Sequence, residues 1–96
     1  MAVREDTIAS RREDLISESV FDDVVVLDPE TGRFVRLNGS AAELWGALAT
    51  SPTSVAALAE ILVTRLAAPP ERALSDASAF VESMSSRNLL TLSTAL

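Results

Sequence analysis

The stretch DVVVLDPETGRFVRLNGSAAELW, residues 23–45, decides how the rest of the chain is read. Residues 24–27 form a β-branched, apolar run. Asp28-Pro29-Glu30-Thr31-Gly32 then has the composition of a turn, with Pro29 presetting φ and Gly32 free to take a positive φ. Residues 33–37, Arg33/Phe34/Val35/Arg36/Leu37, intersperse arginines among apolar residues, as a strand with one wet side does. After Leu37 the period changes. Ser40 and Glu43 have capping-box spacing, with Asn38 as the alternative N-cap, and Ala41, Leu44, Trp45 and Leu48 recur at helical spacing. A hairpin running directly into a helix makes a small α+β unit with an exposed strand edge, and such an edge can accept a further strand.

On the N-terminal side, residues 1–19 are charge-dense, with Ile8, Leu15 and Ile16 as apolar anchors. A short strand around residues 7–11 is expected to pair with the hairpin. The competing reading for the first residues is a frayed terminus. Asp22 and Asp23 read as a solvated acidic turn, because the ligand spacing of a calcium loop is missing.

On the C-terminal side three helices are expected. The first spans residues 40–50 and ends at Ser51-Pro52, with its tryptophan, Trp45, in the core. The second spans residues 55–67, capped by Thr53 or Ser54, with Val55, Leu58, Ala59, Leu62 and Leu66 on one stripe. Pro69-Pro70 stops it, and Pro70 suits the first turn of a third helix over residues 71–87. There Ala73, Ala77, Phe80, Val81 and Met84 share a face, Asn88 suits a left-handed C′ position, and residues 89–92 are apolar enough to pack back as an extended tail. A small three-stranded antiparallel sheet followed by three helices, in one domain over residues 1–96 with the first six allowed to be disordered, is the inventory of a winged helix-turn-helix.

The residue types that are missing narrow the function. The 96 residues include no Cys and no His, and all eight basic residues are Arg. There is thus no thiolate nucleophile, no imidazole base, no Schiff-base lysine, and no cysteine or histidine to ligate a metal. Neither an enzyme nor a cofactor or metal is expected. A net charge of −6 works against binding nucleic acid, since non-specific affinity comes largely from neutralising phosphates. No apolar run approaches the roughly 18 residues of a membrane span, so no membrane is expected and a cytoplasmic location is the default.

At this point the chain resembles the PqqD-like family, the peptide-recognition elements of pathways for ribosomally synthesised, modified peptides. The carriers are the strand-turn-strand of residues 24–37, the Leu37-Asn38 pair followed by small residues and an apolar helix, and the closing Met84-x-x-Arg87-Asn88-Leu89-Leu90. The resemblance extends over residues 7–92. Within the family, Trp45 and the turn at residues 28–32 are similar to the stand-alone leader-binding proteins of lasso-peptide gene clusters. Residues 47–52, ALATSP, replace the Cys-Asp-Gly-type loop of PqqD proper, which turns the reading away from the pyrroloquinoline-quinone pathway.

The resemblance implies strand addition. The leader segment of a precursor peptide would lie antiparallel along Arg33, Phe34, Val35, Arg36 and Leu37, with its side chains in a groove against the third helix. Asp76, Ala77, Phe80 and Met84 are the expected groove residues on that helix. The implied partners are the precursor leader and a separate leader peptidase, a cysteine protease of the same pathway. Two other readings stand beside this one: a winged-helix DNA-binding regulator using the third helix, and an antitoxin-like structural partner of a folded protein.

Overall fold

The structure, a computed structural model, describes residues 3–94; residues 1–2, part of the segment expected to fray, lie outside the described residues. Six strands and three helices follow one another as β1 (Thr7–Arg11), β2 (Ile16–Val20), β3 (Asp23–Leu27), β4 (Phe34–Leu37), α1 (Gly39–Ala47), β5 (Thr53–Ser54), α2 (Val55–Leu66), α3 (Pro70–Ser86) and β6 (Leu90–Thr94). The strands form two three-stranded antiparallel sheets, ordered β5-β1-β6 and β2-β3-β4.

The expected strand at residues 7–11 is present as β1, but its pairing differs from expectation. It pairs with β6, Arg11 opposite Leu90, and with β5, Ile8 opposite Ser54. The hairpin's third strand is instead β2, with Ile16 opposite Leu27 and Val20 opposite Asp23. The apolar tail therefore packs back as a strand, burying Leu89 and Leu90. This satisfies its backbone groups in a way a loose tail would not.

Local signals explain the element ends. In the β3–β4 turn Gly32 takes φ +74 and donates its N–H to the Asp28 carbonyl at 2.8 Å. Asn38 occupies the N-cap of α1 in extended conformation, and no side-chain cap bond forms there, so the Ser40/Glu43 capping box is not used. Ser54 caps α2 by accepting from the Ala57 N–H at 3.1 Å. That helix ends where Ala67 turns left-handed, φ +54, and the Ala68 N–H reaches the Leu62 carbonyl. α3 starts on Pro70, whose missing N–H costs nothing in a first turn. It closes with Asn88 at φ +62 and the Leu89 N–H on the Met84 carbonyl.

The core lies between the two sheets and the helices. Its largest fully enclosed side chains include Trp45, Leu44, Leu58 and Val81. α2 and α3 pack against each other, with α2 contributing Val55, Leu58, Ala59 and Leu62 and α3 contributing Ala73, Ala77, Val81 and Met84. Among the described residues no helix is long and apolar enough to cross a membrane.

Two substitutions should move stability in opposite directions, both read by urea unfolding. Leu58→Ala removes a fully buried side chain and should cost about 2–5 kcal/mol. Phe21→Gly should stabilise the fold by up to about 1 kcal/mol, because Phe21 is fully exposed at the β2–β3 turn with φ +58, which a side chain disfavours.

Candidate functional site

The site begins with hydrogen bonds that the hairpin leaves unmade. The Asp28 N–H donates to the Arg33 carbonyl at 2.9 Å, and the register runs Val26 opposite Val35 and Val24 opposite Leu37. In an antiparallel ladder the bonded pairs alternate, so Val35 and Leu37 spend their backbone groups on β3. Phe34 and Arg36 turn their N–H and C=O groups the other way. Among the described residues β4 ends its sheet, so those groups face an edge with no strand on it.

Side chains alternate in the same way. Leu37 is buried and Val35 half-buried on the inner face, whereas Phe34, 69 % exposed, and Arg36 point outward. Arg36 is held by Asp23 across the sheet at 2.6 Å.

Beside this edge runs a groove of about 530 Å³ between β4, α1, the end of α2 and α3. Leu37, Leu44, Leu62 and Met84 expose only a few per cent of their surface each, and that surface forms the apolar floor. Val35 and Phe80 rise from it, and Arg36, Asp76 and Arg87 stand at its rim. A second depression of about 430 Å³ continues past Val35 and Arg87, which line both, toward Arg33, Phe34 and Ser86.

Of the residues expected from the sequence, Val35, Arg36, Leu37, Asp76, Phe80 and Met84 therefore lie in the main groove, and Arg33 and Phe34 in its continuation. Ala77 is a correction. It is completely enclosed and does not line the groove. A helix turns about 100° per residue, so the stripe 73, 77, 81, 84 faces the core while Asp76, Phe80, Ser83 and Arg87 follow the neighbouring stripe toward β4. Ser83, Arg87 and the α1 residues Ser40 and Ala41 were not anticipated as lining, and Leu44, which the sequence favours as core over groove, is both core and lining. The spacing of Ser83 and Arg87 from Asp76 and Phe80 was the available signal.

One ion-pair cluster braces the site from behind. The Arg12 guanidinium reaches Asp14 at 2.6 Å, Asp28 at 2.9 Å and Glu30 at 3.0 Å, and also donates to the Asn88 carbonyl at 2.9 Å. Arg12 holds the Asp28 carboxyl below its ordinary range, burial opposes this, and the Glu30 N–H adds to the lowering. Carboxylates of Asp14, Asp28 and Glu30 converge closely enough to hold a cation, but Arg12 already supplies the positive charge among them.

Comparisons with known proteins bear on the family and the fold. The family description "Coenzyme PQQ synthesis protein D (PqqD)" matches residues 23–90, most of the chain. The chain belongs to the PqqD family. In a comparison with curated proteins none matches. Among solved structures, TbiB1 in complex with the TbiA(beta) leader peptide is similar with a TM-score of 0.77 at 17 % identity, covering 84 % of this chain and 93 % of that one. A lasso peptide synthetase B1 complexed with the leader peptide gives 0.75 at 23 % identity, covering 86 % and 96 %. The solution structure of the PqqD truncation of Methylobacterium extorquens PqqCD, a stand-alone recognition element for ribosomally synthesised and post-translationally modified peptides, gives 0.75 at 18 %, covering 94 % and 95 %. At these identities the likeness is one of fold: two small antiparallel sheets and three helices.

The lowered Asp28 fixes the sign of an acid effect. A carboxyl whose folded pKa lies below its ordinary 3.8 contributes stability above that value and loses it as pH falls through the folded pKa. Wild type should therefore lose urea resistance more steeply than Asp28→Asn as pH falls through and below the ordinary carboxyl value, and the two curves should approach each other toward the acid end.

Proposed function

We propose that this protein binds the leader segment of a ribosomally synthesised precursor peptide by strand addition to β4, with the peptide's side chains seated in the groove against α3. The observation that carries the reading is the coincidence of the unpaired β4 edge with the apolar-floored groove. Backbone bonds along an edge supply affinity, and a groove beside it supplies selection among side chains. Family membership supports it, as does the fold shared with two proteins solved with leader peptides. The groove residues we assign are Val35, Arg36, Leu37, Asp76, Phe80 and Met84, with Arg33 and Phe34 at one end.

The precursor in this reading is a lasso peptide, in keeping with Trp45, the turn at residues 28–32 and the fold shared with a lasso peptide synthetase B1. The protein performs no catalysis itself. It holds the leader for a separate cysteine peptidase of the same pathway, in the cytoplasm, as one domain. In this reading the sheet β2-β3-β4 with the three helices corresponds to the inventory of a winged helix-turn-helix, with the sheet β5-β1-β6 added to it. The DNA-binding use of that inventory finds no support in a chain of net charge −6.

The test is fluorescence polarisation of a labelled leader segment from the precursor encoded beside this gene. Binding at micromolar concentration or tighter is expected. Arg36→Pro removes an N–H that points to the free edge and leaves the β3 ladder intact, so it should weaken binding by about tenfold, the value of one backbone bond left unmade. Phe80→Ala should weaken it comparably by thinning the groove wall. A folded wild-type protein that leaves the leader unbound at tens of micromolar would overturn the reading.

A further inference from the structure

The groove carries its charges in a fixed order. Of the eight arginines, Arg4, Arg12, Arg36 and Arg65 make ion pairs, and Arg11 is spent on Trp45. Among the described residues that leaves Arg33, Arg72 and Arg87 with no carboxylate in reach. Two of those three line the same depression. The carboxylate that shares it, Asp28, is already neutralised by Arg12. In a chain of net charge −6, an uncompensated positive pair at one end of a groove is a specific feature.

The opposite end has the opposite sign. Asp76 lines the main groove with no arginine within ion-pair distance, on the side where Leu37 and Leu66 also line it. The linings set the orientation of the two walls. The start of β4 shares a depression with the end of α3, and the end of β4 shares one with the middle of α3, so strand and helix run in opposite directions. A peptide antiparallel to β4 therefore enters beside Asp76 and leaves between Arg33 and Arg87.

We infer that the groove selects its peptide by charge order: apolar residues in the main groove, followed toward the peptide's C-terminus by a carboxylate side chain held between Arg33 and Arg87. This rests on the strand-addition reading above. The two depressions share Val35 and Arg87, so the acidic position follows directly after the apolar segment, within a few residues at about 3.4 Å each. Asp76 disfavours an acidic residue on the N-terminal side and favours a basic one.

A library of random dodecapeptides displayed on phage tests this without knowledge of the natural ligand. It is selected in parallel on the full-length protein and on the Arg33→Glu/Arg87→Glu variant, with both checked for folding by circular dichroism. Wild type should enrich peptides in which Asp or Glu follows an apolar segment at that spacing, and the variant should replace the acid with Lys or Arg. Neutralising the acid in an enriched peptide should weaken its binding to wild type by roughly fivefold, as expected for an exposed pair, and should leave its binding to Arg33→Gln/Arg87→Gln unchanged. Enriched peptides with no acidic bias, with acid on the N-terminal side, or with the same acid retained on the charge-reversed variant would overturn the inference and leave strand addition standing. A folded wild-type protein that enriches no peptide would overturn both.

Discussion

The structure depends on two consecutive side chains at the end of β1. Because successive residues of a strand point to opposite faces, Arg11 and Arg12 leave the same piece of backbone in opposite directions. Arg11 lies over the Trp45 ring, 4.4 Å from its centroid, and donates to the Trp45 carbonyl, while the Trp45 indole N–H reaches Ser17 on β2. A cation on an indole face, with its N–H groups also satisfied, keeps a charge at the edge of the core without leaving it unsolvated. Burial lowers the Arg11 pKa, as expected for a guanidinium at that edge. Through Trp45 the first strand thus holds α1 and the second sheet together.

Arg12 does something different with the same charge. It contacts the turn between β3 and β4 through Asp28 and Glu30, and the chain just after α3 through the Asn88 carbonyl. Those two segments are the walls of the groove at its Arg33–Arg87 end. A single guanidinium with several planar donors can fix two backbones at a set separation, which the flexible single-point ammonium of a lysine would do poorly. The width of the groove at that end is therefore set by a residue that lines neither depression described above.

The helices were legible in the sequence because their apolar stripes are regular and Pro52, Pro69 and Pro70 punctuate them. β2 was not legible, and its residues show why. In ISESV only Ile16 and Val20 are apolar, with Ser17, Glu18 and Ser19 between them, so the alternation is too sparse to mark a strand; all five residues are exposed, and the strand exists because β3 offers an open ladder. The strand at residues 7–11 was legible as a strand, but not its partner, because nothing local links Thr7 to Thr94. The edge of β4 followed from the alternation after Gly32. The helical wall was misjudged by one step at Ala77, since a small residue between two apolar ones reads equally well as room for a ligand and as close helix packing. Leu37 and Leu44 show a similar ambiguity: they belong to the core and also form the groove floor.

The pairing of β1 with β6 also orders events in time. Thr7 faces Thr94, and Arg11 faces Leu90, so this sheet closes only when both ends of the described chain meet. By contrast β2, β3, β4 and α1 follow one another with short connections and make contacts close in sequence. Low sequence separation favours fast formation, and long loops delay it. Sequence separation thus favours formation of the hairpin that bears the open edge ahead of the clasp that brings Arg12 to Asn88. During biosynthesis the edge exists before its groove has a second wall, and a strand-accepting surface of that kind is most prone to wrong pairing in that interval. A net charge of −6 is repulsive between copies of the chain, and that repulsion already acts before the clasp has closed.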